Sequence, residues 1–497
     1  MRYVMSDATT KKKSDLTYWI NVAITIILMF GIGYLEPWGS LEQIGMKVLA
    51  IFIGLLYGWT TLGFVFPSML GMLALALSGA YTMDGVFTAG FGAAQNTVYC
   101  ILIFIFAAYM DHCGLSHIIA NWFISRKICV GRPWVFTLMI FIAAYVLGAT
   151  ISLFTAILIL FAIFYSACDT LGYKKLEKYP VAVLSGVVFS AMLGFAVFPF
   201  KAVQIMVLGS LSTASNGTMS ANFGTFTVTM FVVTVVCLAV YMLVLKFIVR
   251  PDLSNFDHVG DMFADLRNTH MNQEQKIAAF FLVLLMLFLF APSLMPDEWA
   301  ITQFFSYIGG PGSFLVILML MSVLKIKGKI NFDFQACAAK GCNWEMLIMF
   351  CATMPVAAAM SNEDIGVINF LVSLLSPLFN QFSGLAFCAV FLLLGGLITQ
   401  VAHNLVLAAM LTPVLYSFCI QMDINPVMMC TLFSFAIATA VATPGGSATA
   451  ALMFTNDWIG VKNAYKYGWL MAIIATAVVI IVGIPVGSLL FGGYTLH

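Results

Sequence analysis

The chain has 497 residues, 62% hydrophobic and only 9% charged, with a mean hydropathy of +1.02 and a formal net charge of +1. Soluble domains carry about 25% charged residues, so this composition excludes a soluble globular enzyme, and the charge balance offers nothing that attracts nucleic acid. Apolar runs recur from end to end without the alternation of barrel strands, which predicts an all-α polytopic membrane protein set in a lipid bilayer.

In chain order, Lys11, Lys12 and Lys13 precede an apolar run at 17–35. No small-residue cleavage site follows it, so it reads as a retained first helix. Spans follow at 46–62, 64–80 and 95–112. The apolar segment 133–168 is too long for one helix and is interrupted at "LGATIS" (147–152). It reads as a re-entrant hairpin, whose irregular backbone needs protein or water around it. Spans at 181–207 and 223–246 lead to a polar cytoplasmic linker at 251–274. Spans at 275–294, 310–325 and 343–360 come next, then a second hairpin at 382–420 interrupted at "LITQVAHN" (397–404), then spans at 427–455 and 466–493. The total is eleven transmembrane helices plus two re-entrant hairpins.

Loop charge tests this layout. It places 20 of the 22 basic residues on one face, which predicts a plasma-membrane protein with its N-terminus inside and its C-terminus outside. Lys47 lies at a helix end and can snorkel; Lys201 has no such exit. Asp111 and His112 read as solvated ends of the fourth span, and Glu363, Asp364 and Asp457 as solvated ends elsewhere. The eleven cysteines, among them Cys100, Cys351 and Cys388, sit mostly in apolar segments without metal-ligand spacing and read as free thiols.

With the tail and first helix (1–45) set aside, 46–250 and 275–497 each hold five spans and one hairpin. An odd number of spans turns the second repeat over relative to the first. Local echoes agree: "ILFAIFYSAC" (159–168) with "MLTPVLYSFC" (410–419), and the interrupted helices "GFAVFPFKAVQ" and "AVATPGGSATA". Broken helices at matching places in inverted halves point to a transporter's binding site. Amides freed at such breaks bind anions and freed carbonyls bind cations.

From about residue 45 onward the chain resembles the divalent-anion/sodium symporter family of the ion-transporter superfamily, which carries di- and tricarboxylates or sulfate. The resemblance rests on "NWEMLIMFCATMPVAAAMSNEDIG" (343–366), "HNLVLAAMLTPVL" (403–415), "VATPGGSATA" (441–450) and "IGVKNAYKYG" (459–468). It implies a homodimer joined through scaffold helices. It also implies two Ser-Asn-Thr hairpin tips facing two Thr-Pro-Pro-Asn loops, each pair holding sodium and the tips clasping a substrate carboxylate. Here the second tip is His403-Asn404-Leu405 and its loop Thr443-Pro444-Gly445-Gly446. The first tip is Ser152-Leu153-Phe154 and its loop Lys201-Ala202-Val203-Gln204. The motifs are thus half kept in the second half and mostly lost in the first. The sodium site implied is Asn404, Thr443, Gly445 and Gly446.

An ionisable residue at mid-membrane normally faces a cavity or a partner. Lys201 is therefore a lysine that reaches the cytoplasmic surface or sits in a buried pair, a fixed positive charge at the first half-site or, with the lowered proton affinity of a buried amine, a proton carrier. His403 suits anion binding, proton carriage or a carbonyl partner. Asn404 and Gln400 are two-way hydrogen bonders that fit a substrate clasp better than a core position, and Gln204 offers an amide at the first break. Ser152 and Thr155, with Thr150 nearby, and Thr443 and Ser447 offer hydroxyls, which in membrane helices also bond their own backbone. No phosphate-cradling loop, carboxylate pair or nucleophile triad is present, so no enzyme is expected. The reading is a secondary active transporter of a small organic anion. The alternatives are a proton-linked or exchange porter of a monovalent or zwitterionic solute, and a ligand-binding sensor that does not transport.

Overall fold

Backbone amides in hydrocarbon must bond within their own segment, and the chain meets that demand with helices. The computed structural model describes residues 15–92, 96–258, 267, 270–326, 329–330, 332–362, 364–379 and 382–492. Arg2, Lys11, Lys12, Lys13, Lys327 and Glu363 fall outside them. Apart from a two-residue ladder pairing Lys325–Ile326 with Lys329–Ile330, the regular elements among the described residues are helical.

Eleven helices among the described residues are long and apolar enough to cross a membrane. The number matches expectation, but the membership does not. The Val65–Ser78 helix has only 14 residues, and the 427–455 span is interrupted into Pro426–Ala438 and Ala448–Phe454. In exchange, three hairpin arms reach spanning length: Pro133–Thr150, Leu153–Leu171 and Asn404–Gln421. Each is about 27 Å long at 1.5 Å per residue. The helix expected at 310–325 starts at Ala300 and is kinked at Gly309, whose φ of 61° only glycine adopts without strain.

The fourth span also departs from expectation. It runs Asn96–His112, turns at Gly114 (φ 72°) and continues as Leu115–Ile124, bent by 62°. Asp111 therefore sits inside a bend rather than at a solvated end.

The interruptions have local causes. Ser152 caps the second arm of the first hairpin, accepting from Thr155 N at 3.3 Å, and Gly172 ends that arm in the left-handed region. Helix Lys178–Phe195 stops before Pro199, which cannot continue it, and resumes at Ala202–Ala214. Pro444 and the two following glycines keep 439–447 open until Ser447 caps the next helix, accepting from Ala450 N at 3.1 Å.

The first pieces of the two broken helices, Lys178–Phe195 and Pro426–Ala438, are buried almost throughout and form the centre of the bundle. Each packs on its own hairpin. Their second pieces cross over: Ala202–Ala214 lies on Asn404–Gln421 and Pro426–Ala438, and Ala448–Phe454 lies on Lys178–Phe195. Glycine permits the tightest contact. A Cβ on Gly194 would overlap the Tyr145 carbonyl, and one on Gly148 the Ala191 carbonyl, so two helices meet there with no side chain between them.

Loops sort into two groups by contact. Ser125 meets Arg267, Lys175 meets Asp457 (3.4 Å), and Gly114 approaches Gln275. Separately, Asn222 meets Ser293 (3.1 Å), Asn425 bonds Phe491 O (3.2 Å), and Gly45 abuts Ile365. Arg126, Lys127, Lys174, Lys175, Arg267 and Lys276 lie in or beside the contacts of the first group. Lys47, away from it, reaches the Ser78 carbonyl (3.5 Å) and lies over the Tyr34 ring.

Candidate functional site

At the first break the Ala202–Ala214 helix begins with Lys201 at its N-cap position, only 6% exposed. Lys201 does not cap the helix with its side chain. Its Nζ lies 5.8 Å from the centroid of Phe195 and 5.4 Å from that of Phe200, so two aromatic faces receive the cation. One turn on, Gln204 is fully buried with neither Nε2 nor Oε1 hydrogen-bonded. Such groups cost about 1–3 kcal/mol each when left unmade, which marks the spot as one built for something besides packing.

Across from the lysine, the hairpin tip and the bend of the fourth helix share a carboxylate. Asp111 accepts from Ser116 Oγ at 2.7 Å and from Thr155 Oγ1 at 2.8 Å. Thr155 Oγ1 also lies 3.1 Å from Ser152 Oγ. Asp111 and Lys201 attract one another without touching as an ion pair. Thr150 stands apart, its hydroxyl spent on the Val146 carbonyl.

The second break is stitched to its hairpin by Gln400, which is 1% exposed. Its Nε2 donates to the carbonyls of Gly396 (2.8 Å) and Thr439 (3.2 Å), and its Oε1 accepts from Val441 N (3.0 Å) and Ala442 N (2.8 Å). Thr399 Oγ1 donates to Ile437 O at 2.8 Å, and the Thr443 hydroxyl donates to the Gln400 carbonyl. Ser447 Oγ donates to Ala440 O at 2.6 Å. A Cβ on Gly446 would lie 2.9 Å from Gln400 O and 3.2 Å from Thr399 O, so carbonyl oxygens converge on that glycine.

The sequence-predicted residues therefore fall into two clusters. Ser152, Thr155, Lys201 and Gln204 gather at the first break; Gln400, Thr443, Gly446 and Ser447 gather at the second, with Gly445 beside them in the open turn. His403 and Asn404 sit at the second tip and both accept from Leu405 N, at 3.3 and 2.9 Å; the His403 ring meets Phe64 edge to face at 4.9 Å. Gln400, expected to clasp substrate, has its whole amide engaged by backbone. Asp111 and Ser116 were missed, although the Cys113-Gly114 pair followed by a fresh apolar run was a readable bend signal.

An interrupted-helix bundle of this kind, with eleven helices among the described residues long and apolar enough to cross a membrane, is the fold of a multi-pass membrane protein. Two solved structures share it: the Alcanivorax borkumensis YdaH transporter (TM-score 0.56, 13% identity, 84% of this chain and 88% of that one) and Neisseria gonorrhoeae MtrF, of a class of antimetabolite efflux pumps (TM-score 0.55, 13% identity, 94% of each). Residues 55–393 match the model of the citrate transporter (CitMHS) family, and the chain belongs to that family, one of transporters and not of enzymes. A curated relative, the sodium-dependent dicarboxylate transporter SdcS of Staphylococcus saprophyticus, is 22% identical over 212 residues; the match takes in 43% of this chain and only 40% of that relative.

Proposed function

We propose that the protein is a secondary active transporter of a small carboxylate-type anion, working by alternating access. Two inverted repeats, 46–250 and 275–497, would each supply one re-entrant hairpin and one broken helix. The observation that carries this reading is Lys201, a buried lysine at a helix N-terminus beside the unbonded amide of Gln204. A cation, freed helix amides and an unspent amide side chain together answer the charge and the oxygens of a carboxylate. Ser152, Thr155 and, from the second tip, His403 and Asn404 complete the substrate-binding set, while Gln400 holds the second break in shape.

Sodium, if carried, is a second cargo. The convergent oxygens around Gly446, with Thr443, Gly445 and Asn404 alongside, suit a hard cation. At the first break the lysine's own charge stands in the matching place. Family membership and the dicarboxylate relative support the substrate class. A homodimer follows from the resemblance alone.

The test is uptake of labelled citrate and succinate into proteoliposomes. Lys201→Ala should leave less than about 5% of wild-type uptake, a loss of roughly 2 kcal/mol; normal uptake by this variant would overturn the assignment. The second reading, a proton-linked porter, is favoured by the burial of Lys201, since a buried amine can take up and release a proton. Uptake driven by a pH gradient with sodium replaced by potassium decides between them.

A further inference from the structure

Outside both breaks, the first hairpin and the second broken helix are fastened to each other. Arm Leu153–Leu171 leaves the first tip at Ser152 and carries Tyr165 about 20 Å along it, at 1.5 Å per residue. The short helix Ala448–Phe454 leaves the second break at Ser447 and ends about 10 Å on, in a turn at 455–460. There Asn456 Nδ2 donates to Tyr165 Oη at 2.8 Å, joining residues 291 positions apart, while its Oδ1 accepts from Trp458 N at 2.9 Å. Both ends of the amide are engaged, and Asn456 is buried. The Trp458 and Tyr165 rings stack, with centroids 5.5 Å apart and planes 20° apart.

The loop that follows the hairpin closes on the same turn. Leu176 N donates to Trp458 O at 3.1 Å, and Lys175 Nζ lies 3.4 Å from Asp457 Oδ2. Leu176 takes a left-handed φ of 69°, which a bulky residue adopts only under strain. A Cβ on Gly460 would come within 2.8 Å of the Leu176 side chain, so glycine lets the loop approach. The exposed Lys175–Asp457 pair adds little holding force. The amide bond and the stacked rings carry the joint, and the strained Leu176 backbone persists because its surroundings hold it.

We propose that Tyr165, Asn456 and Trp458 form a strut that keeps the first tip and the second break at one spacing throughout the transport cycle. They are positioning residues: none belongs to either cluster, and each acts through the helix or turn that carries it. One end of the strut leads to Ser152 and Thr155, the other to Ser447. A fixed spacing makes the filling of one cluster felt at the other, which is a coupling between sites. The inference rests on alternating access as proposed above, since only a moving carrier needs the spacing kept.

The test bridges the joint in Lys175→Cys/Asp457→Cys with a short bifunctional maleimide and compares uptake of labelled succinate into proteoliposomes before and after. Each single-cysteine variant is treated alike. The bridged carrier should keep at least about half of its uptake; a loss of about tenfold or more, absent from the single variants, means that the joint opens in each cycle and overturns the proposal. Tyr165→Phe keeps the ring stack but loses the bond to Asn456. It should raise KM about threefold with kcat within about twofold of wild type, and Tyr165→Ala should raise KM further. A merely structural lesion lowers the amount of working carrier and leaves KM alone, so a fall in kcat at unchanged KM overturns the strut. If the wild type carries no carboxylate, the transport reading fails by itself, and amide hydrogen exchange in detergent then judges the joint. Tyr165→Phe should speed exchange at 443–450 and leave the turn at 421–426 as in the wild type; unchanged exchange at 443–450 overturns the proposal.

Discussion

Under the proposed function, Lys201 and Asp111 would be opposite charges with the substrate anion entering between them. Without an anion, the carboxylate offsets the ammonium at a distance, and Thr155 and Ser116 hold it there through bonds of 2.8 and 2.7 Å. A bound carboxylate would take over that role at closer range. Asp111→Asn should therefore raise apparent affinity, lowering KM by up to about tenfold, or about 1.4 kcal/mol. It should also lower kcat, because an uncompensated lysine disfavours the empty carrier's return. Proteoliposome uptake across a substrate series measures both parameters; a raised KM at unchanged kcat would refute this pairing. Gln400 makes a different residue-scale case. Its four bonds to backbone leave Val441 N and Ala442 N without partners if it is removed, at about 1–3 kcal/mol for each buried amide. Gln400→Ala should lower the melting temperature by several degrees and abolish uptake. Gln400→Glu, which still accepts from both amides but cannot donate to Gly396 O and Thr439 O, should recover only part of the stability.

At the scale of elements, the contact of Gly148 and Gly194 is what brings the first hairpin against the first broken helix. Gly194→Ala would set a methyl group against the Tyr145 carbonyl, which is backbone and cannot swing aside. The helices would have to separate, costing about 1–3 kcal/mol. Lower thermal stability and earlier proteolysis at 147–152 should follow, whereas Gly445→Ala, where a Cβ meets nothing within 4 Å, should remain as stable as wild type. The breaks themselves were legible because Pro199, Pro444 and the cap residues Ser152 and Ser447 are local signals. Spanning runs were legible for the same reason, but their lengths were not: whether 64–80 makes a full span depends on where packing ends the helix. The Asp111–Thr155 bond joins residues 44 positions apart, and nothing in the periodicity of either segment announces it. Gln400 was visible as a polar residue in an apolar run, but its partners at 396, 439, 441 and 442 meet only once hairpin and broken helix are side by side.

Over the whole molecule, the two breaks differ in chemistry. The second piece of each broken helix lies against the opposite half, so under alternating access both breaks would feel the same relative motion. The first break, however, carries a buried lysine with Asp111 facing it, and the second carries carbonyl and hydroxyl oxygens with no charged side chain among its clustered residues. If Lys201 stays protonated it would repel a cation at the first break, and a cation attracted by the second break's oxygens would have one place to bind. Sodium-driven uptake should therefore rise hyperbolically with sodium concentration, with a Hill coefficient near about 1, and Thr443→Ala should shift the half-saturating sodium concentration upward without changing the order. A sigmoidal dependence, with two sodium ions moving per substrate, would mean that the lysine does not occupy the first cation's place. Replacing Lys201 by threonine then becomes the decisive companion measurement: if the ammonium stands where a cation would otherwise bind, its removal should be the one change that raises the order of sodium dependence in whatever uptake remains.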